Sequence, residues 1–143
     1  ARTGVTGVGP SMKILILGVG QVGRSAAYSL AREPANEVTV IDINEQALRE
    51  LQDRIDVRAV AGNASYPSVL EAAGIADTDI LIALTNSDEV NIVACQIAQL
   101  LYRTPTRIAR IRAAARSCRP VRLSLSVFRP LPTSDFFCTR APR

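Results

Sequence analysis

The chain has 143 residues, 48% of them hydrophobic, with a formal net charge of +4. That length and composition give one domain's worth of material with enough apolar side chains to bury a core, which excludes a disordered chain. Histidine is absent, and the cysteines Cys95, Cys118 and Cys138 match neither a disulfide framework nor a metal-ligand spacing, so the commonest general base and the commonest zinc ligand are both missing.

Residues 1–11, ARTGVTGVGPS, are small, polar and aperiodic. They read as a leader or tag remnant ahead of Met12, and their own G-V-T-G-V-G is discounted because no strand precedes it. From residue 13 strands and helices alternate. KILILG (13–18) is a short buried strand, and 21–32 a helix with Ala26, Ala27, Leu30 and Ala31 at helical spacing. Pro34 and Asn36 end it, and EVTVID (37–42) is the second strand. Asn44 is placed to cap a helix running to about Arg54, with Ala47, Leu48, Leu51 and Ile55 inward. VRAVAG (57–62) is the third strand, followed by a short helix from Pro67 to Ala73 with Gly74 as its stop. DILIALT (79–85) is the fourth strand. A longer helix over 88–101 presents Val90, Val93, Ala94, Ile97, Ala98 and Leu101, and RIARIR (107–112) is the fifth strand.

This alternation predicts an α/β fold, a Rossmann-like doubly wound parallel sheet with helices on both faces. After Arg112 the pattern stops. Residues 113–143 hold six arginines, four prolines and one acidic residue, and only RLSLSVF (122–128) reads as a strand. The sheet is therefore expected to be truncated after its fifth strand, with an irregular, atypical tail over 113–143 that reads either as a non-native, out-of-frame continuation or as a natural variable linker. RLSLSVF is the segment available to fill the open edge beside the fifth strand.

The charge divides the same way. Residues 13–112 carry ten basic and twelve acidic side chains, and the excess of arginine lies in the tail. A nucleic-acid reader carries its positive patch on the fold itself, so nucleic acid is not an expected partner. No apolar run approaches the roughly 20 residues of a membrane span, and the first eleven residues lack a basic start followed by an apolar stretch. The expected location is cytoplasmic, with no direct membrane insertion.

The informative motif is KILILGVGQVG (13–23), where Gly18, Gly20 and Gly23 form G-x-G-x-x-G between a strand and a helix. Gly18 permits the tight turn, Gly20 lets backbone approach a pyrophosphate, and Gly23 lets the helix sit close to the strand. The first amides of the helix then point at phosphate, where the helix dipole favours negative charge. Asp42 follows at the end of the second strand, placed to accept hydrogen bonds from an adenosine ribose and to disfavour a 2′-phosphate. Three more stretches lie at carboxyl ends of strands, where open α/β sheets bind ligands. Asn63 and Ser65 in GNAS reach the adenine side or cap the next helix. Thr85 and Asn86 can donate to ribose or phosphate, while Ser87 or Asp88 serves as a helix cap. Arg110 reaches a phosphate if it points into the cleft and is otherwise a solvated edge charge.

These stretches, with EVTVIDINEQALRELQDRIDVRAVAGNAS, VLEAAGIADTDILIALTNSDEVNIVACQIA and TPTRIARIR, resemble the N-terminal nucleotide-binding domain family of TrkA, within the regulators of potassium conductance (RCK). The resemblance covers residues 12–112. It implies NAD(H) or adenine-nucleotide (ATP or ADP) binding at Gly18, Val19, Gly20, Gln21, Val22, Asp42, Thr85, Asn86 and Arg110, with Gly23 completing the glycine loop of the candidate site. One departure is Asn63-Ala64, where the family more often has His-Gly or Asp-Ala. The resemblance further implies a regulatory subunit, not an enzyme, that gates a Trk-type potassium channel from the inner face of the plasma membrane and forms a homo-oligomer at full length. The alternative is an NAD-dependent oxidoreductase domain. It needs a substrate domain and an acid or base near the nicotinamide, and the chain supplies neither a histidine nor room for a substrate site. No catalytic residue and no metal ligand is therefore expected.

Overall fold

A computed structural model describes residues 11–112 and the backbone of residues 136–140. Four strand–helix steps are followed by two further strands. The elements are β1 (Met12–Leu17), α1 (Gln21–Ala31), β2 (Asn36–Asp42), α2 (Glu45–Gln52), β3 (Arg58–Ala61), α3 (Pro67–Ala72), a 3-10 turn (Ile75–Asp77), β4 (Ile80–Ala83), α4 (Asp88–Leu100), β5 (Thr106–Ile111) and β6 (Phe136–Arg140). All pairings are parallel and the strand order is β3-β2-β1-β4-β5-β6. The doubly wound Rossmann-like sheet expected from the alternation is the architecture observed.

β1 lies at the sheet centre, so Ile14, Leu15, Ile16 and Leu17 are all buried. Alternate side chains feed two cores. Leu15, Leu17 and Leu81 pack beneath α3 and α4, and Ile14, Ile16 and Val40 beneath α1 and α2. Each fully buried Leu or Ile contributes about 1.5–3 kcal/mol of transfer free energy.

Helix ends follow the sequence signals. Asn44 Oδ1 accepts the Ala47 N–H at 3.2 Å and Ser87 Oγ the Val90 N–H at 3.2 Å, so Ser87, not Asp88, caps α4. Gly74 takes φ +87° just after α3, the left-handed stop its position implied.

Two expectations are corrected. The inward stripe of α4 is Asn91, Ala94, Cys95 and Ala98, whereas Val93 is 42% and Leu101 62% exposed. Small side chains bring this helix close to the sheet, and hydrogen bonds from Asn91 fix its rotation. The sheet also does not end at β5. Phe136–Arg140 runs parallel beside it, with Arg107 opposite Phe136 and Ile111 opposite Arg140. FFCTR is a short run of aromatic and β-branched residues of the kind strands favour, eclipsed in the sequence by the prolines before it. RLSLSVF lies outside the described residues.

Candidate functional site

In the strand order, β1 leads to β2 and β3 on one side and β4 to β5 on the other, so the chain switches direction between β1 and β4. Open α/β sheets leave a crevice at the carboxyl ends of such strands. Here it is a cleft of about 180 Å³ lined by Gly18, Gly20, Ile41, Asp42, Ile43, Gly62, Asn63, Ala64, Leu84, Thr85, Asn86, Ser87 and Val90.

The three glycines of the loop are not equivalent. Gly18 has φ +97°, and a Cβ there would come within 3.0 Å of the Leu84 and Thr85 backbone. A Cβ on Gly23 would overlap the Gly18 carbonyl oxygen, so this glycine lets α1 pack on the strand. Gly20 is different. Its φ of −65° and ψ of −173° suit any residue, and a Cβ built on it meets nothing within 4 Å among the described residues. The fold makes no demand for glycine at position 20. The space a side chain would fill lies at the cleft and at the start of α1, whose N-terminus no side chain caps.

Asp42 faces this loop. Its Oδ2 accepts the Val19 N–H at 2.7 Å and its Oδ1 the Asn44 N–H at 2.8 Å. A carboxylate has about four acceptor positions, so two remain for hydroxyl groups in the cleft. Val19 is buried, and its carbonyl accepts from Arg24 Nε at 3.0 Å, so its contribution is a braced stretch of backbone. Gln21 and Val22 are exposed at the first turn of α1, outside the cleft lining.

On the adenine side of the expected site, Asn63 lines the cleft and Ser65 does not. The Ser65 N–H and hydroxyl donate to Asn63 Oδ1 at 2.9 and 2.8 Å, which orients the Asn63 amide. Across the cleft, Thr85 and Asn86 are brought to the wall together. The Thr85 hydroxyl is already engaged with Asn91 Oδ1 at 2.7 Å and the Ser87 carbonyl at 3.0 Å, so it shapes the wall.

Arg110 is half-buried and outside the lining, with no side-chain partner among the described residues. The arginine at the rim is Arg112, which donates to Asn86 Oδ1 at 3.2 Å. Sequence reasoning also passed over Asn91, the fully buried amide behind Thr85. The signal was present as a polar residue one turn before Ala94 and Cys95, on the buried side of an amphipathic helix.

Among ionisable groups near the cleft, Glu89 is held below its ordinary value by its own backbone N–H and by the Ser87 hydroxyl. This suits an acid in the first turn of a helix and requires no catalytic role. Among the described residues no helix is long and apolar enough to cross a membrane. The cleft thus offers backbone donors and a helix N-terminus to an anion, and a carboxylate to hydroxyl groups.

The family model for the TrkA-N domain matches residues 14–119. The Trk system potassium uptake protein TrkA of Halomonas elongata is 60% identical over 104 residues, which are 73% of this chain and 22% of that protein. The chain thus spans about a fifth of the length of the curated relatives it matches. The TrkA-N domain structure of the inner membrane protein YbaL from Escherichia coli superposes with a TM-score of 0.60 at 26% identity, covering 72% of this chain and 74% of that one. A structure of the GsuK channel bound to NAD superposes with a TM-score of 0.61 at 24% identity, over 72% of this chain and 18% of that one, and shares the fold. With the glycine loop, the strand-two acid and the switch-point cleft in place, the chain belongs to the TrkA-N domain family.

Proposed function

We propose that residues 12–112 are the nucleotide-binding unit of a cytoplasmic regulatory subunit that gates a Trk-type potassium channel, with NAD(H) as the ligand and ATP or ADP as the competing candidates. The observation that carries this reading is Gly20, a glycine that neither its backbone angles nor its neighbours require, beside an uncapped helix N-terminus. A diphosphate approaching the backbone there explains the missing side chain. Gly18, Gly20 and the first amides of α1 would hold the phosphates, Asp42 the ribose, Asn63 the base, and Asn86 the far end of the ligand. Two relatives support it by what they are: a potassium uptake protein named TrkA and a channel whose structure holds NAD.

Bound in this way, the nucleotide supplies no reaction. It stabilises whichever arrangement of the subunit binds it better, and that difference in affinity is what a channel partner reads. Assembly into a homo-oligomer and docking on the inner face of the plasma membrane belong to the full-length protein in this proposal. Calorimetric titration with NADH, NAD, ATP and ADP, in the parent and in Gly20→Val, tests it. Saturable binding that Gly20→Val abolishes is the expected result, and a parent that binds none of the four overturns the proposal.

A further inference from the structure

The regular β4–β5 ladder ends at Ala83 and Ala109. Beyond that point the two backbones are joined by a side chain. Asn91 Oδ1 accepts from the Thr85 N–H at 3.0 Å and the Thr85 hydroxyl at 2.7 Å, while Nδ2 donates to the carbonyls of Thr85 at 3.3 Å and Arg110 at 2.8 Å. A carboxamide has two donors and two acceptor lone pairs, so this buried amide is fully used. Asp88, three residues earlier on α4, holds the next backbone group. Its two oxygens accept from the Arg112 N–H at 2.9 and 3.0 Å. The Arg112 guanidinium then returns to Asn86 on the cleft wall. On the other side, the Thr85 backbone abuts Gly18 so closely that no Cβ fits between them without strain.

Glycine loop, cleft wall, start of α4 and end of β5 are therefore one continuous set of contacts. Close-packed contacts of this kind shift between discrete arrangements instead of deforming smoothly. Neither Asn91 nor Asp88 lines the cleft. We propose that these two positioning residues couple the cleft to the end of β5, so that a nucleotide against the Thr85–Ser87 wall is felt at Ile111 and Arg112, where the chain leaves the sheet. The inference rests on the nucleotide-binding reading above. It adds the route by which occupancy leaves the site, and by linkage the arrangement of the end of β5 sets nucleotide affinity in return.

Residue-resolved amide hydrogen exchange tests this on the whole chain, with and without saturating NADH and, separately, ATP, in the parent and in Asp88→Ala. Ser87 still caps α4 in that variant. In the parent, the nucleotide that binds is expected to slow exchange at Ile111 and Arg112 by about threefold or more. In Asp88→Ala the slowing at these two residues is lost, while slowing at Gln21 and Val22 remains. Slowing at Gln21 and Val22 alone in the parent overturns the coupling and leaves nucleotide binding standing. Slowing at Arg112 that survives in Asp88→Ala also overturns it. No effect at either place, with no calorimetric heat, overturns the nucleotide reading and the coupling falls with it.

Discussion

The carboxylate of Asp42 and the backbone N–H of Val19 are joined by a hydrogen bond of 2.7 Å, and Arg24 Nε holds the carbonyl of the same residue at 3.0 Å. The two peptide groups that flank Val19 are thus braced by side chains of opposite charge. Charge-assisted bonds of this kind are about twice as strong as neutral ones. Asp42 therefore positions the loop as well as facing the ribose. Asp42→Ala is expected to weaken NADH binding about 30-fold, a loss of about 2 kcal/mol. It should also weaken a 2′,3′-dideoxy adenine nucleotide, which has no hydroxyls for the acid to accept. Calorimetry with both ligands separates the two roles, and unchanged affinity for the dideoxy compound would show that the brace is dispensable.

Gly20 and Gly23 lie three residues apart and should respond oppositely to the same change. Gly23→Ala forces a Cβ into the Gly18 carbonyl and is expected to cost about 3 kcal/mol or more of stability through the packing of α1. Gly20→Ala meets open space and costs only a few tenths of a kcal/mol, the difference between Gly and Ala at a helix cap reaching about 1 kcal/mol at most. Its effect falls on nucleotide affinity. Urea unfolding beside nucleotide titration reads both quantities, and equal destabilisation of the two variants would contradict the distinction.

Removing the buried amide of Asn91 strands four hydrogen bonds. In Asn91→Leu the Thr85 N–H and the Arg110 carbonyl lose their side-chain partner inside the protein. Each unsatisfied buried group costs about 1–3 kcal/mol, so a total loss of about 2–6 kcal/mol is expected. Ser87→Ala, which removes the cap of α4 and an exposed hydrogen bond to Glu89, should cost about 1 kcal/mol. Denaturant midpoints measured together test this ranking.

Alkaline pH should destabilise the fold through Cys95. Burial pushes its thiol up from 9.0 to about 11. The folded state therefore holds this proton more tightly than the unfolded chain. The resulting stability is complete below pH 9 and is lost as pH rises toward 11, a change of about 3 kcal/mol. Tyr102 acts in the same direction, raised first by its hydrogen bond to Glu71 at 2.6 Å and then by burial. Melting temperature against pH from 8 to 11 should fall in the parent and fall less steeply in Cys95→Ala, which also starts lower because a small cavity remains.

Most of the fold was legible because each element carried its own local signal. Asn44 before a helical repeat, Gly74 after a short one and the unbroken apolar run of β1 are decided by residues a few positions apart. The rotation of α4 was not legible. Val93 and Leu101 are as apolar as the residues that go inside, and the choice falls on Ala94, Cys95 and Ala98 because the sheet accepts small side chains there. β6 escaped because a strand's partner is set by an edge that exists only once β5 is in place.

The site divides along the same line. The sequence alone determined the glycine spacing and the acid at the end of the second strand, because a G-x-G-x-x-G turn and the residue ending a neighbouring strand follow from local geometry and strand length. Only the tertiary structure decided which distant groups meet. It turned the Thr85 hydroxyl inward, set Arg112 at the rim, and joined Thr85 to the Arg110 carbonyl through Asn91, since such contacts depend on where parallel strands splay apart. Gly20 needed both readings. Its spacing marks it in the chain, and only the empty space above it shows that the fold has no use for a glycine there.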